Sequence, residues 1–131
     1  MQFDDFIDRV QKQTGLDARE DALTVTRAVL ETLGERLDRK MWNGVVAQLP
    51  NELKDYVLER AHDTERYPLE EFYNRVGARA GLKYNEATER TRQVIFVLRQ
   101  AISGGEWRNM VESLPRSEYG ELFEEEKTNG T

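Results

Sequence analysis

Two arginines are the residues of this chain best suited by type and spacing to bind a ligand. Each follows a threonine, in Thr26-Arg27 and Thr91-Arg92, and the two pairs lie 65 residues apart. A guanidinium presents a fixed fork of N–H groups that matches a phosphate or a carboxylate. Arg27 and Arg92 are therefore candidate contacts for a small anion. The alternative is that each arginine covers apolar surface and pairs with a neighbouring helix.

Other reactive arrangements are weakly developed. The acidic pairs Asp4-Asp5 and Glu70-Glu71 open two predicted helices, where compensation of the helix dipole explains them better than acid–base catalysis does. His62 is the single histidine and the chain has no cysteine, so we expect no metal site. Serine hydrolase, phosphate-loop, dinucleotide and zinc peptidase motifs are missing. The sequence favours a protein without catalytic residues or a cofactor.

The elements that position these residues occur twice. Shifts of 66 and then 65 residues align Phe6 with Phe72, Gly15 with Gly81, Leu33 with Leu98, and Trp42 with Trp107. An internal repeat of this length indicates a duplicated supersecondary unit. We predict a single domain over residues 1–131, with repeats at 1–61 and 68–124, a linker at 62–67 and a flexible tail at 125–131.

Apolar residues at helical spacing predict four helices in each repeat. Glycine closes the first helix, a capping residue opens each of the next two, and proline suits the first turn of the fourth. The predicted boundary residues are Gly15, Asp17, Asp38 and Pro50 in the first repeat and Gly81, Asn85, Ser103 and Pro115 in the second. Trp42 and Trp107 are expected to anchor the core. The fold class is all-α, a compact helical bundle of two pseudo-symmetric four-helix repeats.

The repeats differ on their long helices, where Glu31-Thr32 in the first corresponds to Phe96-Val97 in the second. A helix that is apolar nearly all round is covered on more than one side. We therefore expect Phe96 and Val97 to lie at an interface that the equivalent face of the first repeat lacks. The cover is either the other half of the monomer or a second chain in a homodimer.

The composition narrows the class of partner. The chain has 19 basic and 25 acidic residues, a net charge of −6, which argues against sequence-independent binding of nucleic acid. No stretch approaches the roughly 20 apolar residues of a membrane span, and the amino terminus has no secretory signal pattern. We expect a cytoplasmic protein without membrane contact.

An ordered set of motifs resembles the domain of unknown function 2267 family. The motifs in the second repeat are Phe72-Tyr73, Arg75-Val76, Ala80-Gly81-Leu82, the segment from Arg92 to Leu98, the segment from Ala101 to Trp107, and Leu114-Pro115. A weaker first-repeat set comprises Val29-Leu30, Leu33-Gly34, Arg36-Leu37 and Gln48-Leu49-Pro50. The resemblance implies a compact helical bacterial protein with a duplicated unit. It brings no activity, cofactor or catalytic residue with it.

Packing residues repeat in this chain and reactive residues do not. The leading hypothesis is a non-enzymatic interaction module that self-associates or binds an unidentified protein partner. One alternative is a small-anion binding protein or enzyme that uses Arg27 and Arg92. A further alternative is a helix-turn-helix-like nucleic-acid binder, since short helices joined by tight turns recur.

Overall fold

The computed structural model describes residues 1–57 and 64–124, and every regular element in these ranges is helical. The helices are α1 (Phe3–Thr14), α2 (Arg19–Arg36), α3 (Arg39–Ala47), α4 (Asn51–Val57), α5 (Leu69–Ala80), α6 (Tyr84–Ala101), α7 (Gly104–Ser113) and α8 (Arg116–Tyr119), followed by a 3₁₀ helix over Gly120–Phe123. The predicted all-α class is confirmed. His62, the first part of the linker and the predicted tail at 125–131 lie outside the described residues.

Glycine ends the first helix of each half, as predicted. Gly15 and Gly81 have φ angles of 73° and 70°, in the left-handed region where a side chain is strained. Their amide groups donate to carbonyl oxygens of the last helical turn, at Gln11 and Gly77 respectively. The following leucines, Leu16 and Leu82, are partly buried against the core. These turns direct the chain back along the preceding helix.

Two of the predicted N-caps are confirmed. The Asp38 carboxylate accepts a hydrogen bond from the Met41 amide at 2.8 Å, and the Ser103 hydroxyl accepts one from the Glu106 amide at 3.1 Å. Such side-chain caps satisfy amide groups that have no partner inside the helix.

The predicted start of α2 is wrong. Asp17 lies ahead of the helix, because its carbonyl oxygen accepts from the Gln11 side chain and the first helical carbonyl belongs to Ala18. The N-cap residue is Ala18, whose side chain makes no capping hydrogen bond. In the second half α6 begins at Tyr84, one residue before the predicted Asn85, and α4 and α8 begin directly after Pro50 and Pro115.

The first helix of each half lies between the two long helices. Helix α1 packs against α2 and α6, helix α5 also packs against α2 and α6, and the long helices touch each other. Helices α3 and α4 cover α2, the 3₁₀ helix covers α6, and α3 meets α7. The largest fully buried side chains include Phe6, Ile7, Leu30 and Leu33 from the first half and Phe72, Tyr73, Leu98 and Met110 from the second. One apolar core therefore draws on both halves.

The first three helices of the two halves match in order and closely in length. Helices α1 and α5 have 12 residues each, α2 and α6 have 18 each, and α3 and α7 have 9 and 10. This agreement is what duplication predicts; a rotation that relates the two halves stays a prediction. Among the described residues, no helix combines the length and the apolar character that crossing a membrane requires.

Candidate functional site

The matched threonine–arginine pairs occupy unlike surroundings. Both threonines are fully buried, but the Thr26 hydroxyl donates to the Ala22 carbonyl at 2.8 Å, whereas the Thr91 hydroxyl has no hydrogen-bond partner among the described residues. Arg27 is exposed on α2, and Arg92 is half-buried on α6. A shared anion contact at Arg27 and Arg92 stays a prediction.

Arg92 lies near a buried phenol. Burial raises the pKa of the Tyr73 hydroxyl, and the Glu121 carboxylate, which accepts a hydrogen bond from that hydroxyl at 3.2 Å, raises it further. The positive charge of Arg92 opposes this rise. Its immediate electrostatic role is therefore within the fold.

The predicted interface residues divide between core and surface. Val97 is buried within the monomer and Phe96 is half-buried. From the sequence, the matching face of the first half, at Glu31 and Thr32, is expected to lie at no interface. This expectation is wrong, because Thr32 is fully buried and Glu31 is half-buried. The Glu31 carboxylate lies 3.7 Å from the Arg79 guanidinium. The difference between the halves is that the cover is ionic in one and apolar in the other.

That ionic cover is centred on Glu35, which is 7% exposed. Both carboxylate oxygens of Glu35 accept from Arg79, and the Arg79 Nη1 to Glu35 Oε1 distance is 2.8 Å. The same Nη1 donates to the Thr32 hydroxyl at 2.7 Å, and Arg75 Nη1 donates to Glu35 Oε1 at 3.3 Å. A bidentate arginine–carboxylate pair is strong and directional. It fixes α5 against α2.

The pKa of Glu35 reports these contacts. Burial alone raises the pKa of this carboxyl group, but hydrogen bonds and charge attraction from Arg79 and then Arg75 outweigh it and hold the pKa below its ordinary value. Glu35 is therefore ionised at neutral pH. A carboxylate held in this state is a poor proton donor at neutral pH.

The segment before α5 completes this arrangement. The Tyr119 hydroxyl donates to the Tyr67 carbonyl at 2.7 Å, and Arg36 Nε donates to the same carbonyl and to the Tyr119 hydroxyl, each at 3.1 Å. The Arg75 guanidinium lies 4.2 Å from the centre of the Tyr67 ring. Glu35, Arg36, Tyr67, Arg75, Arg79 and Tyr119 together form what we call the ionic network. It joins α2, the segment at 64–68, α5 and α8.

Sequence reasoning missed the ionic network, although two signals for it are present. Arg75 and Arg79 are four residues apart and so share one face of a helix. The two repeats also differ in residue type at other positions of the network, because Glu35-Arg36 in the first corresponds to Gln100-Ala101 in the second. The other half makes the matching contact without a carboxylate, because Arg9, the counterpart of Arg75, donates to Gln100 Oε1 at 2.8 Å.

A second feature is a groove beside α7, with a volume of about 970 Å³. It runs between α7, the end of α6, and the segment formed by α8 and the 3₁₀ helix. The residues on which the argument depends are Arg99, Trp107, Arg108, Val111, Arg116 and Phe123. We call this surface the arginine–tryptophan groove. Its aromatic wall is an edge-to-face pair, with Trp107 and Phe123 ring centres 5.5 Å apart.

The groove exists because the two tryptophans pack differently. Trp42 is 6% exposed, and a Cβ atom at Gly34 would come within 2.9 Å of its indole ring. The indole therefore lies against the backbone of α2, in space that a glycine leaves. The repeat register places Arg99 where the first half has Gly34, and the Arg99 guanidinium lies 5.4 Å from the Trp107 ring centre. Trp107 is consequently half-buried.

The expectation of two core anchors therefore holds for Trp42 and only in part for Trp107. The substitution of glycine by arginine keeps the second indole away from the helix backbone. This leaves an aromatic face beside an open groove. The signal was present in the aligned residues, but its effect depends on how the indole packs in three dimensions.

The arginines of the groove differ from those of the ionic network. Arg108 and Arg116 are exposed, and among the described residues neither has an ion-pair partner. Arg75 and Arg79, by contrast, each contact a carboxylate. The groove therefore offers positive charge to a ligand. Two carboxylates, Glu112 and Glu124, also line it.

No group of three or more potential metal-binding side chains occurs in the parts of the chain that the structure describes. The arrangement that remains for an external ligand combines aromatic surface with guanidinium groups. Such a surface recognises carboxylates or phosphates attached to an apolar body.

Comparison with known proteins identifies the family of this chain but assigns no activity to it. No curated protein matches the sequence. The model of the family described as uncharacterized conserved protein (DUF2267) matches residues 3–122. That range covers all eight helices and all but the last residue of the 3₁₀ helix, and so the whole architecture described above. The chain therefore belongs to the DUF2267 family of uncharacterized conserved proteins.

Proposed function

We propose that this chain is a non-enzymatic, cytoplasmic interaction module that binds a protein partner in the arginine–tryptophan groove. The observation that carries the proposal is the half-buried Trp107 beside the exposed Arg108 and Arg116, all three at the groove. Tryptophan and arginine are enriched among the residues that dominate binding energy at protein interfaces. In the matched position of the first half the tryptophan is buried, so the indole of Trp107 is less covered than its counterpart.

The apolar side of this surface extends to a residue expected from the sequence to lie at an interface. Phe96 borders a small hollow together with Trp107, Leu122 and Phe123. Half-buried aromatic side chains from α6, α7 and the 3₁₀ helix thus adjoin one another. A contiguous apolar surface with a charged rim is typical of an interaction site.

The ionic network supports a non-enzymatic role. Its central carboxylate is bound on both oxygens by arginines of the same chain, and its tyrosines are hydrogen-bonded to backbone carbonyls. These charges satisfy one another and stabilise the docking of α5. They are not arranged around the groove.

Photo-crosslinking in the native cells tests the proposal. A photoreactive amino acid replaces Glu112, which lines the groove and is exposed on α7. The matched control replaces Ala47, which is exposed on α3 at the equivalent repeat position. We expect a discrete protein adduct from position 112 and none from position 47, and Trp107→Ala should remove it.

Equal adducts from both positions, or an adduct that survives Trp107→Ala, would show that the groove is not the binding surface. An adduct whose mass is twice that of the chain would identify a homodimer. In that case the self-associating form of the module is the correct one.

A further inference from the structure

Resting on the proposed function, we infer that the groove binds an acidic peptide segment with one apolar anchor residue. The positive charge is the first reason. Arg108 and Arg116 lie at the groove without an ion-pair partner among the described residues, in a protein whose net charge is −6. A guanidinium pairs with a carboxylate through two parallel hydrogen bonds, which gives orientation as well as affinity.

The aromatic wall supplies the anchor site. Trp107 and Phe123 meet edge to face at 88°, and the Arg99 guanidinium lies 5.4 Å from the Trp107 ring centre. An angle of this kind leaves a corner into which an apolar side chain can insert. Val111 on the same face of α7 as Trp107 extends that corner by one helical turn.

The size of the groove favours a peptide over a metabolite. A volume of about 970 Å³ lies at the upper end of the roughly 300 to 1,000 Å³ typical of small-molecule pockets. A small anion would contact one or two of the arginines and leave most of the apolar wall uncovered. A peptide reaches the arginines and the aromatic corner together.

The two groove carboxylates restrict the orientation of the peptide. Glu112 and Glu124 line the same groove, so acidic residues of the ligand are repelled from them and drawn towards Arg108 and Arg116. The pattern that fits is therefore an apolar anchor flanked by carboxylates on the arginine side. Nucleic acid fits poorly, because its evenly spaced phosphates would also meet Glu112 and Glu124.

Three synthetic peptides test the inference. They share one phenylalanine and have glutamate, glutamine or lysine at the flanking positions. The chain contains only two tryptophans, so NMR gives one indole N–H signal for each. The glutamate peptide should shift the Trp107 signal and leave that of buried Trp42 in place. The glutamine peptide should bind at least fivefold more weakly. Added salt should lower the affinity of the glutamate peptide and leave that of the glutamine peptide unchanged.

Charge reversal provides the matched variant. Arg108→Glu with Arg116→Glu should abolish binding of the glutamate peptide and create binding of the lysine peptide. The control reverses Arg39 and Lys40, which are exposed on α3, and should bind like the unaltered chain. The Trp42 signal verifies that each variant is folded.

Three results would overturn the inference. The first is that the glutamine peptide binds as tightly as the glutamate peptide, which would show that charge plays no part. The second is that inorganic phosphate alone shifts the Trp107 signal at the same concentration, which would identify a small-anion site. A dimer that dissociates as peptide binds shows that a second copy occupies the groove. If peptide binding fails while the Glu112 crosslink persists, the proposed function stands and only the acidic ligand is wrong.

Discussion

At the scale of single residues, the hydrogen bonding of buried polar groups determines how much a substitution changes the free energy of unfolding. Thr26 and Thr91 are both fully buried at matched positions, yet only the Thr26 hydroxyl makes a hydrogen bond. A buried hydroxyl without a partner loses its hydration and gains nothing in return. The two threonines should therefore respond differently to the same substitution.

Thr91→Val should leave the free energy of unfolding unchanged or raise it by up to about 1 kcal/mol, because valine has the same shape and no unpaired hydroxyl. Thr26→Val should lower it by about 1 kcal/mol, since a hydrogen bond is lost. Urea denaturation of both variants measures the difference. An equal loss in the two would mean that the Thr91 hydroxyl has a partner in solution.

Glu35 should make the stability depend on acid pH. Its pKa in the folded chain is below the ordinary value of 4.5, so its contribution is fully present above about pH 4.5 and is lost as the pH falls through the folded pKa. Glu35→Gln should lower the free energy of unfolding at pH 7 by about 1.5 to 3 kcal/mol.

Stability measured from pH 7 to pH 2 should therefore fall less steeply in Glu35→Gln than in the unaltered chain. Glu89→Gln, at an exposed position on α6, is the control and should keep the original slope. Parallel curves for all three proteins would show that Glu35 does not titrate in the acid transition.

At the scale of helices, one position at which the long helices differ, Gly34 in α2 and Arg99 in α6, affects how the tryptophan of the adjacent short helix packs. Gly34 lets the Trp42 indole lie on α2, whereas Arg99 keeps Trp107 half-exposed. The open groove is a consequence of this single difference. Exchange of the two residue types should therefore exchange the two packing modes.

Arg99→Gly should allow the Trp107 indole to settle on α6. Acrylamide should then quench tryptophan fluorescence less, and the emission should move to shorter wavelength. Arg99→Ala is the matched control, because its Cβ atom still occupies the space that the indole needs. Unchanged quenching in Arg99→Gly would show that Arg99 does not hold the ring away.

Gly34→Arg tests the reverse. A Cβ atom there would lie 2.9 Å from the Trp42 ring, and overpacking of this kind costs about 1 to 3 kcal/mol. The midpoint of urea denaturation should fall, and Trp42 should become accessible to acrylamide. A variant as stable as the unaltered chain would mean that the ring moves aside without loss.

Local signals explain which elements could be predicted. Gly15, Gly81, Asp38 and Ser103 act within one turn of their helices, so their roles follow from the neighbouring sequence. Asp17 was misassigned because the Gln11 side chain, six residues earlier, binds its carbonyl oxygen. The ionic network escaped prediction because Glu35 and Arg75 are 40 residues apart. Pairing over such a distance is set by helix packing, which spacing along the chain does not encode.

At the scale of the whole molecule, neither half covers all faces of its own long helix. Helix α2 depends on α5 and α6, and α6 depends on α1 and α2. Residues 1–64 alone should therefore be molten, aggregated or dimeric, because the faces that contact α5 and α6 are exposed. Light scattering and amide NMR spectra measure this.

Mixing the fragment 1–64 with the fragment 65–131 is the complementary experiment. We expect a one-to-one complex with a single cooperative unfolding transition, since the missing helices are supplied in trans. A monomeric fragment 1–64 with dispersed amide signals and a sharp thermal transition would contradict the dependence of each half on the other.

The interleaved packing also sets an order of events during synthesis. Helix α2 ends at Arg36, and the two second-half helices that pack on it, α5 and α6, are complete only at Ala101, 65 residues later. At ordinary translation speeds of roughly 5 to 20 residues per second, the ribosome needs about 3 to 13 seconds to add them. Throughout that interval the nascent first half lacks the helices that cover the second-half face of α2. Productive folding of this protein therefore begins late, when the second long helix emerges.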